Sequence, residues 1–371
     1  GKTTTAAFLK IPVGARNVAM GETGVTGEDI NAVYWNPAGL GEISSKQLSF
    51  MHAAWFEDIG YENLYYCHPT KMGTFGLGLN YLYATAIDKY DQYDNPLDET
   101  YNPLDMATTI SYARNLKVVG RGVKIGFNVK YISSKLEDER ASALATDVGS
   151  LYHFTTLPLS MGLVFQNIGT KMKFINEADP LPMNIKIGCS YPVRVSSNRV
   201  IVVLDINKPI DNNIHFNFGT EYSYRFGEST TLSGRVGYKT NTDGYDAIDG
   251  LCSGIGFSFK DYSLDYAFVP YGDLGVTHRI SMIVRFGGGG GGGEQKEIGS
   301  KKQETRSKKQ ETRNKKQEAR NKKQEARNNK QEAQSKKKDA EIEQIYQDGV
   351  GYLEKEKYLD AIIKFNDVIA I

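Results

Sequence analysis

The 371-residue chain has no run of about 18 apolar residues, so no helix of it is suited to crossing a membrane. That absence leaves a β-barrel open, because barrel strands hide their apolar residues at every second position. No secretory signal segment is visible, and the first residue is Gly1, which fits a processed N-terminus. Cysteine is scarce: Cys67, Cys189 and Cys252 stand far apart, with no CxxC or Cys/His cluster. A zinc site and a disulfide framework are therefore not expected. Stretches of the G-x-S-x-G, H-E-x-x-H, Walker or Rossmann kind are absent as well, and the five histidines (His52, His68, His153, His215, His278) are scattered. The histidines read as lumen or interface side chains. No enzyme, cofactor or metal is expected.

What the chain does have is 38 Gly, 23 Tyr and 16 Phe against 2 Trp, and a charge asymmetry hidden in a net of +1. Residues 294–339 hold 17 Lys/Arg against 8 Asp/Glu, residues 340–371 hold 3 against 7, and residues 1–293 hold 25 against 29. These three balances, +9, −4 and −4, mark three different materials.

From residue 46 to 286 the hydrophobic period is close to two. In "TFGLGLNYLY", Phe75, Leu77, Leu79, Tyr81 and Tyr83 share one face, while Thr74, Gly76, Gly78 and Asn80 share the other. "VKIGFNVKY" and "VTHRISMIVRF" repeat the pattern. A soluble sandwich also alternates. Here, however, the second face is small or polar and carries charge at mid-strand: Lys124, Lys130, Asp147, Asp205, Glu221, Arg235 and Asp265. Such a face suits a wet or hydrogen-bonded lumen behind a bulky, aromatic exterior.

Fourteen segments of this kind can be counted, the first near 46–55 and the last near 275–286. Their connections alternate in length. Short links such as "RFGES" and the Lys260-Asp261 hairpin follow even-numbered segments. Long polar ones, "TAIDKYDQYDNPLDETYNP", "SKLEDERA", "GTKMKFINEADPL" and "NTDGYDAIDG", follow odd-numbered ones. Outer-membrane barrels show this asymmetry, with short turns on the periplasmic side, and an even count leaves both barrel ends there. The expected fold is an all-β antiparallel transmembrane barrel of about 14 strands. The acidic loop with Asp88, Asp91, Asp94, Asp98, Glu99 and Asp105 is read as a hydrated loop, with calcium or a partner as the alternative.

Ahead of the strands, "AAFLKIPVGARNVAMGETGVTGEDINAVYWNPAGL" has an apolar start, a G-A-R-x-x-x-M-G turn (Gly14 to Gly21), an acidic patch before Asn31-Ala32, and W-N-P-A-G-L from Trp35 to Leu40. This run resembles the opening segment of the FadL-like outer-membrane proteins, and more closely their PorV/PorQ branch. "TDVGSLYHF", "LVFQNIG" and "GTEYSYR" resemble wall strands of that branch, and the likeness spans roughly residues 6 to 286. It departs at "GETGVTGED", where the branch is Ala-rich. The resemblance implies that residues 1–45 fold inside the lumen as a hatch, with Asn31, Trp35, Asn36, Pro37, Ala38 and Gly39 as its motif. Pro37 fixes its own φ and biases Asn36 towards extended backbone, while Gly39 and Gly41 are expected to permit a tight reversal into the first strand.

Phe286 is the terminal aromatic of the last alternating strand, the feature that barrel-insertion machinery recognises in related proteins. Seven glycines follow it, Gly287 to Gly293, as a flexible linker. Next comes a seven-residue repeat beginning SKKQETR. It has no apolar position and so no coiled-coil seam, but Glu304–Lys308, Glu311–Lys315 and Glu318–Lys322 stand at i,i+4 in the favourable order. A solvated single helix within the 287–340 linker is expected, with disorder as the alternative. Interleaved Glu and missing aromatics argue against nucleic acid as its partner. Residues 341–371 resemble a tetratricopeptide repeat, with Gly349, Tyr352, Tyr358, Ala361 and Phe365 at the packing positions. One repeat cannot bury its own face, so further repeats are expected beyond Ile371.

The resemblance implies a secretion or surface-assembly component of the type IX kind in the bacterial outer membrane. It would sit in outer-membrane lipid with both barrel ends and the tail periplasmic, and engage secreted proteins or periplasmic and envelope components. The alternative is a FadL-like passive transporter with a hydrophobic small-molecule ligand. A soluble β-domain that scaffolds other proteins ranks third.

Overall fold

The computed structural model of the chain describes residues 3–55, 59–90, 95–118, 121–175, 177–195, 198–240, 250–271, 275–287 and 320–347. The chain divides into two units, Gly1–Gly289 and Gly290–Ile371.

The first unit is a closed barrel of fourteen antiparallel strands, each bonded to the next in sequence. They are β1 (Lys46–Ala54), β2 (Gly60–Thr70), β3 (Gly73–Tyr83), β4 (Leu104–Val118), β5 (Arg121–Leu136), β6 (Glu139–His153) and β7 (Ser160–Gly169). The second half holds β8 (Asn184–Val195), β9 (Asn198–Pro209), β10 (His215–Phe226), β11 (Thr230–Lys239), β12 (Leu251–Phe259), β13 (Tyr262–Pro270) and β14 (Val276–Phe286). β1 closes on β14 with Lys46 opposite Phe286 and Ala54 opposite His278. The even strand number therefore brings both ends of the wall to the end that carries the short turns.

The period-two pattern resolves into two faces. Leu77, Ile110, Val129, Ile255 and Ile280 point outwards and are half-exposed or more. A belt of large apolar side chains on every strand is far beyond the patch a water-soluble surface tolerates, and it matches a lipid-facing wall. No described helix is long and apolar enough to cross a membrane; the strands do the crossing. The seven mid-strand charges of the other face, Lys124 to Asp265, are all buried inside.

Two connections differ from expectation. "SKLEDERA" is not a long loop: β5 and β6 continue to Leu136 and Glu139, leaving a two-residue turn with Glu137 at φ 54°. The period-two pattern persists through these polar residues because the strands project past the apolar belt, where water covers both faces. The long connection after β3 contains its own hairpin, Ile87–Tyr90 paired with Pro96–Tyr101. In it Lys89 lies 3.5 Å from Glu99 and 3.0 Å from Glu137. Among the described residues no group of three His, Cys, Asp or Glu side chains is placed to hold a metal.

A barrel of eight strands can be filled by its own side chains, but one of fourteen cannot. Residues 3–45 fill it. They form only short pieces: 3-10 turns at Ala7–Lys10 and Pro37–Glu42, and helices α1 (Ala15–Ala19) and α2 (Ala32–Trp35). Pieces of four to six residues have no stability of their own, so contact with the wall holds them.

The described residues of the second unit, 320–347, form a helix whose side chains are almost all exposed. Lys336 lies 2.9 Å from Glu332 at i,i+4, with side chains 75% and 65% exposed, so the pair contributes a few tenths of a kcal/mol at most. The repeats before residue 320, and Gly349, Tyr352, Tyr358, Ala361 and Phe365, lie outside the described residues.

Candidate functional site

The hatch motif sits at the centre of the lumen. Trp35 is 2% exposed and donates from Nε1 to Val13 O at 2.9 Å, which folds the first turn of the hatch back over the last. Asn36, fully buried, has extended backbone and caps the following 3-10 turn, its Oδ1 accepting from Ala38 N at 3.1 Å. Its Nδ2 donates to Val25 O at 2.8 Å inside the hatch and to Ser150 O at 3.1 Å on the wall. One amide thus serves the cap, the hatch and the barrel together. Pro37 takes the first position of the turn, where its missing N–H costs nothing. Asn31 accepts from Ser49 Oγ of β1 at 3.4 Å.

Gly39 and Gly41 do not act as a reversal, because neither has positive φ. Gly39 is needed for space: a Cβ there would run into Gly27 O and sit 2.9 Å from Ala32 Cβ. The conformational glycines are Gly14 (φ 79°) and Gly21 (φ 70°), which bracket α1.

The small lumen face is the counterpart of this fit. A Cβ on Gly126 would strike the backbone of Pro37 and Ala38, and one on Gly149 would strike the Asn36 side chain. One on Gly162 would lie 2.6 Å from Val25 O, and one on Gly78 3.0 Å from Val33 Cγ1. The lumen is therefore glycine-lined where the hatch leans on it, not merely wet.

Charge does the rest. Arg16 donates to Glu221 at 2.8 and 3.1 Å and reaches Asp29 at 3.3 Å. Glu221 also takes Arg235 at 2.7 Å, which in turn pairs with Asp265 at 2.8 Å. The alternating chain Asp29–Arg16–Glu221–Arg235–Asp265 runs from hatch to wall, and Glu221 beside Arg16 raises the guanidinium pKa further. Lys239 lies 2.6 Å from Glu22; burial alone would raise that carboxyl, but the ammonium holds it below its usual value. Lys130 pairs with Asp147 at 2.7 Å, and Asn128 joins Asp147 to Val33 O at 2.7 and 2.8 Å. Among the described residues no cation lies within ion-pair distance of Asp205, which instead accepts the Gly24 and Val25 N–H groups at 2.7 and 3.0 Å. "GETGVTGED" is thus the stretch whose backbone can approach a wall carboxylate.

The residues missed from sequence are the hatch partners Arg16, Glu22, Asp29 and Glu42. Their signal was charge inside an otherwise apolar and small segment, opposite wall charges of either sign. Gln166 and Asn167 were also missed. A register shift between Thr146 and Val148, with Asn167 at φ 58°, turns both amides inward, where Gln166 holds Tyr34 O at 2.7 Å and Trp35 O at 3.1 Å. The histidines divide. His153 reaches Glu28 at 2.9 Å in the lumen and His215 faces the lumen, whereas His52 (2.6 Å from Glu62) and His278 (2.7 Å from Tyr266) face outwards. Phe286 is also on the outer face, stacked on Tyr66 at 6.2 Å between centroids.

Glu42 closes the hatch against Lys124 and His153. The hydrogen bond from His153 is the main cause that lowers its pKa to about 2. A carboxyl lowered in the folded state stabilises the seated hatch above its unfolded pKa, near 4.5, and loses that contribution as pH falls towards 2. In an acid titration followed by Trp fluorescence, wild type is expected to show a loosening phase in that window, and Glu42→Gln to lack it. An identical phase in both would exclude Glu42 as its source.

Two recesses beside the hatch are lined by described residues. At the short-turn end a cavity of about 660 Å³ is lined by Arg16, Glu221, Arg235 and Asp265 and by a ring of wall hydroxyls including Ser160, Ser190, Ser223 and Ser233. At the other end a pocket of about 140 Å³ lies between Trp35, Lys186 and several carboxamides.

Among solved structures the chain is similar to the toluene transporter TodX of Pseudomonas putida, at 12% identity and TM-score 0.51, covering 74% of this chain and 97% of that one. A FadL homologue of Pseudomonas aeruginosa aligns at 10% identity and TM-score 0.47, covering 74% and 98%. The first of these establishes the fold alone: a FadL-like barrel. No curated protein matches significantly. The family described as type IX secretion system protein PorV matches residues 1–212, more than half the chain and the whole of the hatch with nine of the fourteen wall strands, so the chain belongs to the PorV family.

Proposed function

We propose that this barrel receives or holds exported proteins at the bacterial outer membrane, as a type IX secretion component, and does not conduct a hydrophobic solute. In this reading the short-turn end, with both wall termini and the tail, faces the periplasm, and Phe286 marks the barrel for insertion. The hatch built around Asn31, Trp35, Asn36, Pro37, Ala38 and Gly39 is closed at rest, and a partner displaces it. The tetratricopeptide-like segment, with Gly349, Tyr352, Tyr358, Ala361 and Phe365 at its packing positions, recruits a periplasmic protein.

The observation that carries the reading, beside the family match, is the chemistry of the lumen. Charged side chains stand in both recesses, with hydroxyls in the larger and carboxamides in the smaller, beside apolar residues such as Leu157, Ile201 and Val203 in the larger one. A hydrophobic solute crossing them would strip water from these polar groups without offering hydrogen bonds in return, which costs free energy. The transporter alternative rests on the likeness in fold to the toluene transporter.

Native mass spectrometry of the protein extracted from outer membranes separates the two. A co-purifying protein that is lost on deletion of 294–371 supports the secretion reading; release of a small apolar mass supports transport. Hatch movement has its own test, a Val33→Cys/Gly78→Cys disulfide across hatch and wall, where side-chain positions are close enough to join. The oxidised form is expected to lose cargo display at the cell surface and to recover it on reduction. Undiminished display while oxidised would show that the hatch stays seated.

A further inference from the structure

The pocket at the end away from the short turns holds an uncommitted charge. Lys186 of β8 is 8% exposed, lines this pocket, and makes no hydrogen bond or ion pair among the described residues. Its ammonium lies instead over the rings of Trp35, at 4.7 Å from the centroid, and Tyr34, at 6.0 Å. Among the described residues no carboxylate lies within ion-pair distance of it. Glu22 is held by Lys239, Asp211 by Lys10 and Thr4, and Asp147 by Lys130, while Asp205 accepts the Gly24 and Val25 N–H groups at Oδ2 and keeps a buried Oδ1 without a hydrogen-bond partner. A buried ammonium without an anion is costly, and cation–π contact recovers only part of its lost hydration.

The walls around Lys186 are polar and pre-ordered. Gln166 and Asn217 are fixed by hydrogen bonds to the hatch, Asn207 by one to Asn217, and Asn167 by one to Pro182 O and one from Lys130, so their amides are held away from the lysine. Asn184, two residues before Lys186 on the same strand face, has a buried Oδ1 without a partner. Exposed Lys10 and Asn212 stand at the mouth, so the pocket is reached from outside the barrel. Its volume of about 140 Å³ gives room for about five water-sized groups.

We propose that this pocket binds a small carboxylate, whose anionic group pairs with Lys186 against the Trp35 ring and whose polar remainder meets the surrounding carboxamides. An acyl chain is excluded by the size of the pocket and by its amide lining. The inference does not depend on which macromolecule the barrel engages, because it rests on this pocket alone.

L-lactate and L-lactamide, titrated calorimetrically into the full-length protein in detergent, make the test. The acid is expected to bind and the uncharged amide of nearly the same shape to bind at least about tenfold more weakly, the difference an unpaired buried charge produces. Lys186→Gln is expected to abolish the preference for the acid, and Lys186→Arg to keep it. Trp35 fluorescence in a Trp55→Phe background should change on binding, because the anion lands beside that ring. Failure of wild type to bind L-lactate, or equal binding of acid and amide, overturns the proposal. So does a Lys186→Gln protein that retains the preference. If Lys186→Gln does not assemble, the comparison of acid and amide on wild type still decides.

Discussion

Gly126→Val is expected to turn a closed barrel into a conducting one. Gly126 faces the lumen at the point where Pro37 and Ala38 cross the wall, and any Cβ there occupies their backbone. Valine is at home in a strand, so the wall itself should form normally. The strain falls on the hatch, which must shift as a unit because Asn36, Ala38 and Gly39 are locked together by the cap and by close contact with Ala32. Overpacking of this kind costs roughly 1–3 kcal/mol. That shifts the balance between seated and unseated hatch by roughly 5- to 150-fold. Planar-bilayer recordings should therefore show rare openings for wild type and persistent conductance for Gly126→Val. Gly234→Val is the matched control, since a Cβ at Gly234 meets nothing within 4 Å. If both variants stay as quiet as wild type, the seat around Pro37 does not hold the hatch.

The second large effect is expected at Glu221. Its carboxylate, 5% exposed, is shared by Arg16 of the hatch and Arg235 of the wall. Glu221→Leu would leave Arg235 with Asp265 and Arg16 with the more distant Asp29 at 3.3 Å. Removing one member of a buried charge network costs roughly 3–5 kcal/mol, most of it from the charge left without its partner. The variant should melt well below wild type in detergent. Arg16→Met combined with Glu221→Leu should recover part of the loss, because the orphaned hatch cation goes with its partner. A double variant no better than the single one would show that Arg16 and Glu221 do not act as a pair.

Both predictions concern contacts that no stretch of sequence displays. Lys124, Asp205 and Glu221 were visible as charges on a lumen face, because alternation places each residue on one side or the other. Which of them meets Glu42, the Gly24 N–H or Arg16 was not visible, since these partners are separated by 80 residues or more. Gly126 and Gly149 looked like the small residues of a polar channel, and the structure makes them the seat of Pro37 and Asn36. The two-residue turn after Leu136 reads as a loop in the sequence because its flanking strand ends are polar on both faces.

The number of strands and the two faces of each were determined by the sequence alone. Those features are local: a period of two and the turn residues that interrupt it are written in consecutive positions. The tertiary structure alone decided how the hatch fits, through the pairing of Arg16, Glu22 and Glu42 with the wall, the inward turn of Gln166 and Asn167, and the unsatisfied Lys186 above Trp35. A lumen is enclosed only when β1 meets β14, so what lies against what inside it depends on closure and not on neighbours in the chain.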